Sequence, residues 1–215
     1  MAVKPWIGQI AEPANHNPVN KEKPETTYAL EYVYGYRSAD SRQNVHWNSE
    51  GKACYMTAAL GVILDQDTNT QKFFGGGEVE NTSKQTANDE NGHTNDIMCI
   101  KVCNKRHVAA TGQVGSRPTV FVWDASSGEK KARAKLDKGS RGVNAIAFSK
   151  DNNMVGLVDL HNDHHVYVYD FDGSSLNLKG KMKGSQNKIH DISFDKTTNR
   201  FCTAGSKHIE FYDAD

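Results

Sequence analysis

The sequence has little proline outside one segment, only four cysteines, no net charge and no long apolar run, and each shortage excludes something. Four of the five prolines (Pro5, Pro13, Pro18, Pro24) precede residue 28, so the rest of the chain is nearly free of the residue that breaks strand ladders. Cys54, Cys99, Cys103 and Cys202 are scattered, and Cys99-x3-Cys103 has no matching second pair, so reduced, partly buried thiols are expected rather than disulfides or a zinc ribbon. Lys plus Arg total 26 and Asp plus Glu total 26, which argues against a nucleic-acid binder or membrane-surface protein working through bulk positive charge. The longest apolar stretch, Ala58 to Leu64, has seven residues, far fewer than the roughly 20 a membrane-spanning helix needs. Pro5 and Gly8 interrupt any secretory apolar region and residue 2 is Ala, so neither a signal peptide nor myristoylation is expected, and the chain reads as intracellular.

Catalytic signatures are also missing. There is no Gly-x-Ser-x-Gly, no phosphate-cradling Gly-Lys-Ser/Thr loop and no His-Glu-x2-His, so neither an enzyme nor a cofactor is expected. The densest group of metal-type ligands is His161-x2-His164-His165 with Asp159 and Asp163, the one place where a metal-dependent hydrolase could reside. These residues fall in a turn, where Asp and Asn are common, and His165 opens a strand pointing away from His164. The sequence therefore reads as a solvated turn without metal.

What is present is strand. Residues 1–27 form a proline-rich, extended lead-in in which Trp6 and Ile7 could pin the segment to a neighbouring surface. From Tyr28 onward, runs rich in Val, Ile, Tyr, Phe and Thr alternate with Gly/Asn/Asp/Ser clusters, and no window has helical spacing of apolar residues. Fifteen strands are expected, from Ala29–Tyr36 to His208–Tyr212, in an all-β chain. Three strands ending in an aromatic residue and Asp align without gaps: Trp123-Asp124, Tyr169-Asp170 and Tyr212-Asp213. They are 169 − 123 = 46 and 212 − 169 = 43 residues apart, the period of propeller blades. Each repeat opens on another alternating strand, after Asp96, Gly142 and Lys188.

Gly92-His93 before the first strand of one repeat, and Trp123-Asp124 closing its third, resemble WD repeats. In such blades the resemblance implies a buried hydrogen-bond set of the His, a turn Asp, a strand Ser/Thr (here Thr111) and the Trp. Tyr169 and Tyr212 depart from it. Upstream, Ala29-Leu-Glu-Tyr32-Val-Tyr34-Gly35-Tyr36-Arg37-Ser-Ala-Asp40-Ser-Arg42-Gln-Asn-Val45 resembles the HELP motif of the echinoderm microtubule-associated protein-like (EMAP-like) family, and family-like strings follow in family order as far as Gly115, within a resemblance that covers the chain from about residue 4 to the end. On a strand, Tyr28, Leu30, Tyr32, Tyr34 and Tyr36 would share one face, a packing surface between blades or propellers. Arg37 with Asp40, and Arg42, would hold the turn that follows.

The expected organisation is a lead-in at 1–27, the HELP motif and first blade at 28–75, an acidic, Gly-rich mobile loop at 76–92, and three WD-type repeats at 93–215, the last incomplete. The fold expected is thus a partial WD-repeat β-propeller of about four blades, completed by a longer chain or by a partner subunit. The resemblance implies a non-enzymatic microtubule-associated scaffold of the cytoplasm and cytoskeleton, or of the cilium and axoneme. Its partners would be tubulin and other axonemal or cytoskeletal proteins, with no nucleic acid or membrane. The alternative is a general WD adaptor assembling signalling or degradation complexes. Lys130, Lys131, Arg133 and Lys135, and again Lys179, Lys181 and Lys183, occupy the outermost strand of adjacent repeats and the loop leaving it. They read either as edge lysines that deter aggregation or as a basic patch for tubulin's acidic surface.

Overall fold

A computed structural model describes residues 28–76 and 90–214, together with Gly8, Ala11, 13–22, 25 and 26. The Trp6–Ile7 anchor and most of the acidic loop lie outside the described residues. Within them are fifteen strands and no helix, so none is long and apolar enough to cross a membrane. The strands form four antiparallel meanders. Sheet I contains β1 (Val45–Trp47), β2 (Ala53–Thr57), β3 (Leu60–Asp65) and β4 (Thr70–Phe74), and sheet II contains β5 (Ile97–Cys103), β6 (Val108–Gln113), β7 (Thr119–Asp124) and β8 (Lys130–Lys135). Sheet III contains β9 (Val143–Phe148), β10 (Met154–Asp159), β11 (Val166–Phe171) and β12 (Leu176–Met182), and sheet IV contains β13 (Ile189–Phe194), β14 (Arg200–Gly205) and β15 (His208–Asp213).

The first strands β1, β5, β9 and β13 touch in succession around a common axis, which makes the sheets blades of a partial β-propeller. Period-2 alternation explains why they stack. On sheet II, Ala109, Phe121 and Trp123 enter a core shared with Cys54, Met56, Ile63 and Phe74 of sheet I. The intervening residues Ala110, Val120 and Val122 enter a second core with Tyr167 and Tyr169 of sheet III. A third core joins Val166 and Val168 to Ile189, Ile192 and Phe201 of sheet IV. Strands β6 and β10 are consequently buried at every residue.

One sequence expectation fails in sheet I. Residues 29–36 are not a strand, and the sheet's first strand is instead Val45–Trp47. The segment crosses the face of sheet I instead of pairing along its edge. Tyr32 Oη donates to Asn69 Oδ1 at 3.0 Å, the Val33 amide donates to Gln71 Oε1 at 2.8 Å, and Gln71 Nε2 returns a bond to the Val33 carbonyl at 3.0 Å. One glutamine side chain thus replaces a ladder. Gly35, at φ 79°, turns the chain out of extended geometry, and the Arg37 amide then meets the Met56 carbonyl at 3.2 Å. Tyr32 is half-buried and Tyr36 meets the Tyr55 ring edge-on with centroids 6.4 Å apart, while Tyr28, Tyr34 and Tyr36 stay exposed.

Candidate functional site

The WD-type residues occupy one register. Trp123 pairs with Ala109, Tyr169 with Val155 and Tyr212 with Phe201, so the three aromatic–Asp corners are structurally equivalent. In sheet II the corner is braced by a buried polar chain. Trp123 Nε1 donates to Thr111 Oγ1 at 3.1 Å, His93 Nε2 lies 2.8 Å from the same hydroxyl, and His93 Nδ1 lies 2.8 Å from Gln113 Oε1. One proton assignment gives every acceptor a donor: indole N–H to hydroxyl, hydroxyl to Nε2, and Nδ1–H to the amide oxygen. The indole also stacks on Phe74 of sheet I, with ring centres 5.4 Å apart. Asp96 takes no part in this chain; Gln113 fills the role expected of a turn Asp.

The equivalent places in the other sheets hold different chemistry. Thr111, Leu157 and Thr203 share a register, as do Gln113, Asp159 and Gly205. His93 stands four residues before β5, whereas that place holds Gly139 before β9 and Ser185 before β13. Sheet III therefore has an apolar residue where the hydroxyl was and a buried carboxylate where the amide was. In sheet IV Thr203 is buried and bonds His208 Nε2 at 2.7 Å, while Tyr212 stacks on Phe201. Asp124 accepts the Ser126 and Ser127 amides at 3.0 Å each, closing the turn to β8. Asp170 is exposed, and the matching turn of sheet III is closed by Asp172, with the Ser174 and Ser175 amides at 2.7 Å. Asp213 pairs with Arg200 at 3.3 Å. Sheet I has the same corner in Leu64-Asp65, where Asp65 accepts the Asp67 and Thr68 amides; sequence reading missed it because leucine replaces the aromatic.

The turn after the tyrosines reaches the propeller axis. Arg37 makes two bonds to Asp40, at 2.7 and 2.6 Å, and a third to Asp96 at 3.0 Å, tying the turn to the loop entering sheet II. The bidentate bond from Arg37 holds the Asp40 carboxyl below its ordinary value and raises the guanidinium. Arg42, expected to share this work, is exposed and adds no bond to the turn among the described residues. Its neighbour Gln43, not singled out from the sequence, joins three sheets. Its carbonyl accepts the Ile100 amide of β5 at 2.9 Å, its Oε1 accepts the Ile146 amide of β9 at 2.9 Å, and its Nε2 donates to Asp191 Oδ1 of β13 at 2.7 Å.

The basic residues lie on β8 and β12, outer strands in contact with each other, with Lys183 directly after β12. Several of their charges are already engaged. Lys131 lies 3.5 Å from Asp124, Lys181 2.7 Å from Asp137 and 5.2 Å from the Tyr167 ring centre, and Lys183 3.2 Å from Asp163. Lys130 Nζ donates to the Glu90 carbonyl at 2.8 Å. Arg133, Lys135 and Lys179 are exposed. The bond from Lys181 holds the Asp137 carboxyl low. Exposed pairs of this kind contribute under about 1 kcal/mol.

Comparison with known proteins places this geometry. The HELP motif matches residues 23–62, which span the segment crossing sheet I, the Arg37–Gln43 turn and the first two strands. The Xenopus laevis echinoderm microtubule-associated protein-like 4 is 29% identical over 209 residues, and the Rattus norvegicus EMAP-like 2 protein 30% over 202. The chain is a HELP-motif, WD-repeat relative of the EMAP-like proteins. The ciliary WD repeat-containing protein ctxp80 of Euplotoides octocarinatus is 50% identical over 213 residues, 99% of this chain. The chain spans 30% of the length of ctxp80, 21% of the Xenopus protein and 28% of the rat protein. The fold of this EMAP-like relative matches the C-terminal WD40 domain of Sif2, with TM-score 0.55 at 17% identity over 77% of this chain and 43% of that one. It also matches a chain of the mitotic checkpoint complex, with TM-score 0.63 at 11% identity over 96% of this chain and 56% of that one.

Proposed function

We propose that this chain is the HELP-bearing part of a non-enzymatic, microtubule-associated scaffold of the cytoskeleton, working in the cytoplasm or in the cilium and axoneme. The observation that carries the reading is 50% identity to a ciliary WD-repeat protein along nearly the whole chain, joined to a HELP motif shared with microtubule-associated relatives. Rigid stacked sheets offer broad surfaces, which suits binding without chemistry. The division into lead-in, HELP motif with first blade, loop and three WD-type repeats belongs to this proposal. So does completion of the propeller by further blades, supported by the exposed Ile209 and Phe211 on β15 and Val45 and Trp47 on β1. The tubulin-facing candidates are Lys130, Lys131, Arg133, Lys135, Lys179, Lys181 and Lys183, and among them Arg133, Lys135 and Lys179 stand exposed on the two outer strands.

Cosedimentation with polymerised microtubules tests the function. The wild-type chain is expected to pellet in a salt-sensitive manner, and the triple change Arg133→Glu, Lys135→Glu, Lys179→Glu to weaken binding by about tenfold or more. Unchanged binding would discard the patch. Absence of the wild type from the pellet would leave the adaptor reading in its place.

A further inference from the structure

The structure brings together what the sequence suggested was only a solvated turn. His161, Asp163 and His165 each offer a ligand atom, and these atoms lie within 4.8 Å of one another. The two imidazoles face each other with centroids 4.2 Å apart, and His161 Nδ1 is 3.9 Å from Asp163 Oδ2. His164, between them in sequence, turns away to the Ser185 carbonyl at 2.9 Å. Behind the group is an independent observation. Asp159 is fully buried, and its Oδ1 accepts the His161 and His165 amides at 3.0 and 2.8 Å, but its Oδ2 has no hydrogen-bond partner among the described residues, with the Tyr167 hydroxyl as an electrostatic neighbour. That orphaned oxygen points at the group, 3.5 Å from His165 Nδ1.

The repeat explains the orphan. In sheet II a histidine from the entering loop closes the polar chain, but in sheet III the same place is Gly139, and the His161 ring lies close enough that a side chain at Gly139 would reach within 3.5 Å of it. A buried carboxylate with one unsatisfied oxygen is costly unless a cation or donor completes it. Two imidazoles and a carboxylate form a donor set suited to a borderline divalent ion, and a carboxylate behind the imidazole's other nitrogen is the usual orienting partner of a metal-bound histidine.

We propose that His161, Asp163 and His165 bind a zinc-type divalent cation, with Asp159 holding His165 Nδ1–H so that Nε2 faces the metal. Bound there, the ion replaces the weak Asp163 amide contact to His161 Nδ1 and displaces Lys183, whose side chain is 73% exposed and free to swing aside. It cross-braces the turn between β10 and β11 and supplies, from the opposite side, the cation that the sheet II arrangement does not need.

Zn2+ titration of the purified chain against a chromophoric chelator tests this. One ion per chain is expected, with His161→Ala and Asp163→Asn each weakening binding by about tenfold or more and Asp159→Asn by about 10–100-fold. His164→Ala should bind as the wild type does. The half-exposed positions 161 and 163 keep the test valid if Asp159→Asn unfolds, provided their melting without metal matches the wild type. Saturable binding absent below about 100 µM, or undiminished in His161→Ala, would overturn the proposal.

Discussion

Sheets II and III stack alike, with the same bulge at the entry to their first strand, yet they fill the space behind the corner aromatic differently. Sheet II uses a continuous polar chain, His93–Thr111–Trp123 with Gln113, every member of which has a partner. Sheet III uses Leu157 and stacked Tyr167 and Tyr169, with Asp159 left half-satisfied. The blade geometry is therefore set by alternating apolar faces packed on two neighbours, and the polar chain is an added brace.

The sharpest test converts sheet II towards sheet III. Thr111→Val keeps the shape of the side chain but removes the acceptor of the Trp123 indole N–H and the hydroxyl bonded to His93 Nε2, and should lower stability by about 2–4 kcal/mol in denaturant unfolding. Adding Trp123→Phe, which removes the orphaned donor, should cost less than the sum of the two single changes. Strict additivity would mean that the chain is not a unit and that the contrast with sheet III carries no energy.

A smaller effect is expected at the axis, where Gln43 serves both sheets. Gln43→Ala strips the acceptor from the Ile146 amide of sheet III and the donor from Asp191 but leaves the backbone bond to Ile100 of sheet II, and should cost about 1–2 kcal/mol. Amide exchange should quicken at Ile146 more than at Ile100; equal change at both would remove the distinction.

The gentlest comparison is with pH. The Ser175 and Ser174 donors hold Asp172 in sheet III below the ordinary carboxylate range, and the Arg37 bond does the same for Asp40 beside sheet II. Groups depressed on folding stabilise the protein fully above their unfolded pKa, about 4, and the contribution fades as pH falls through their folded values. The melting temperature should be level from pH 7 to about 5 and fall below about 4, and Asp172→Asn should shallow that fall. An acid limb unchanged in Asp172→Asn would show that this turn has no part in it.

Much of this was legible in the sequence. The 46-residue spacing of Trp123 and Tyr169, and the strands that open each repeat, identified three sheets because period-2 alternation is written directly in residue order. Tyr28 to Tyr36 misled for the same reason: the alternation is real, but Gly35 and the Gln71 clamp draw the segment across a sheet, and no ladder forms. Val45–Trp47 is too short to stand out as a strand and exists through its pairing with β2. The free, mostly buried cysteines fit the reading of reduced thiols, and burial pushes Cys54 up to about 12.

Residue order alone determined the class of fold, the repeat and the kinship, because strand alternation and the HELP string are local features. Tertiary structure decided what no local rule encodes: that Gln43 reaches three sheets, that Lys131, Lys181 and Lys183 are partly neutralised, and that His161, Asp163 and His165 converge over an unsatisfied Asp159. Those outcomes depend on contacts between residues up to 148 positions apart, as from Gln43 to Asp191, whose energies exist only after the sheets have stacked around their axis.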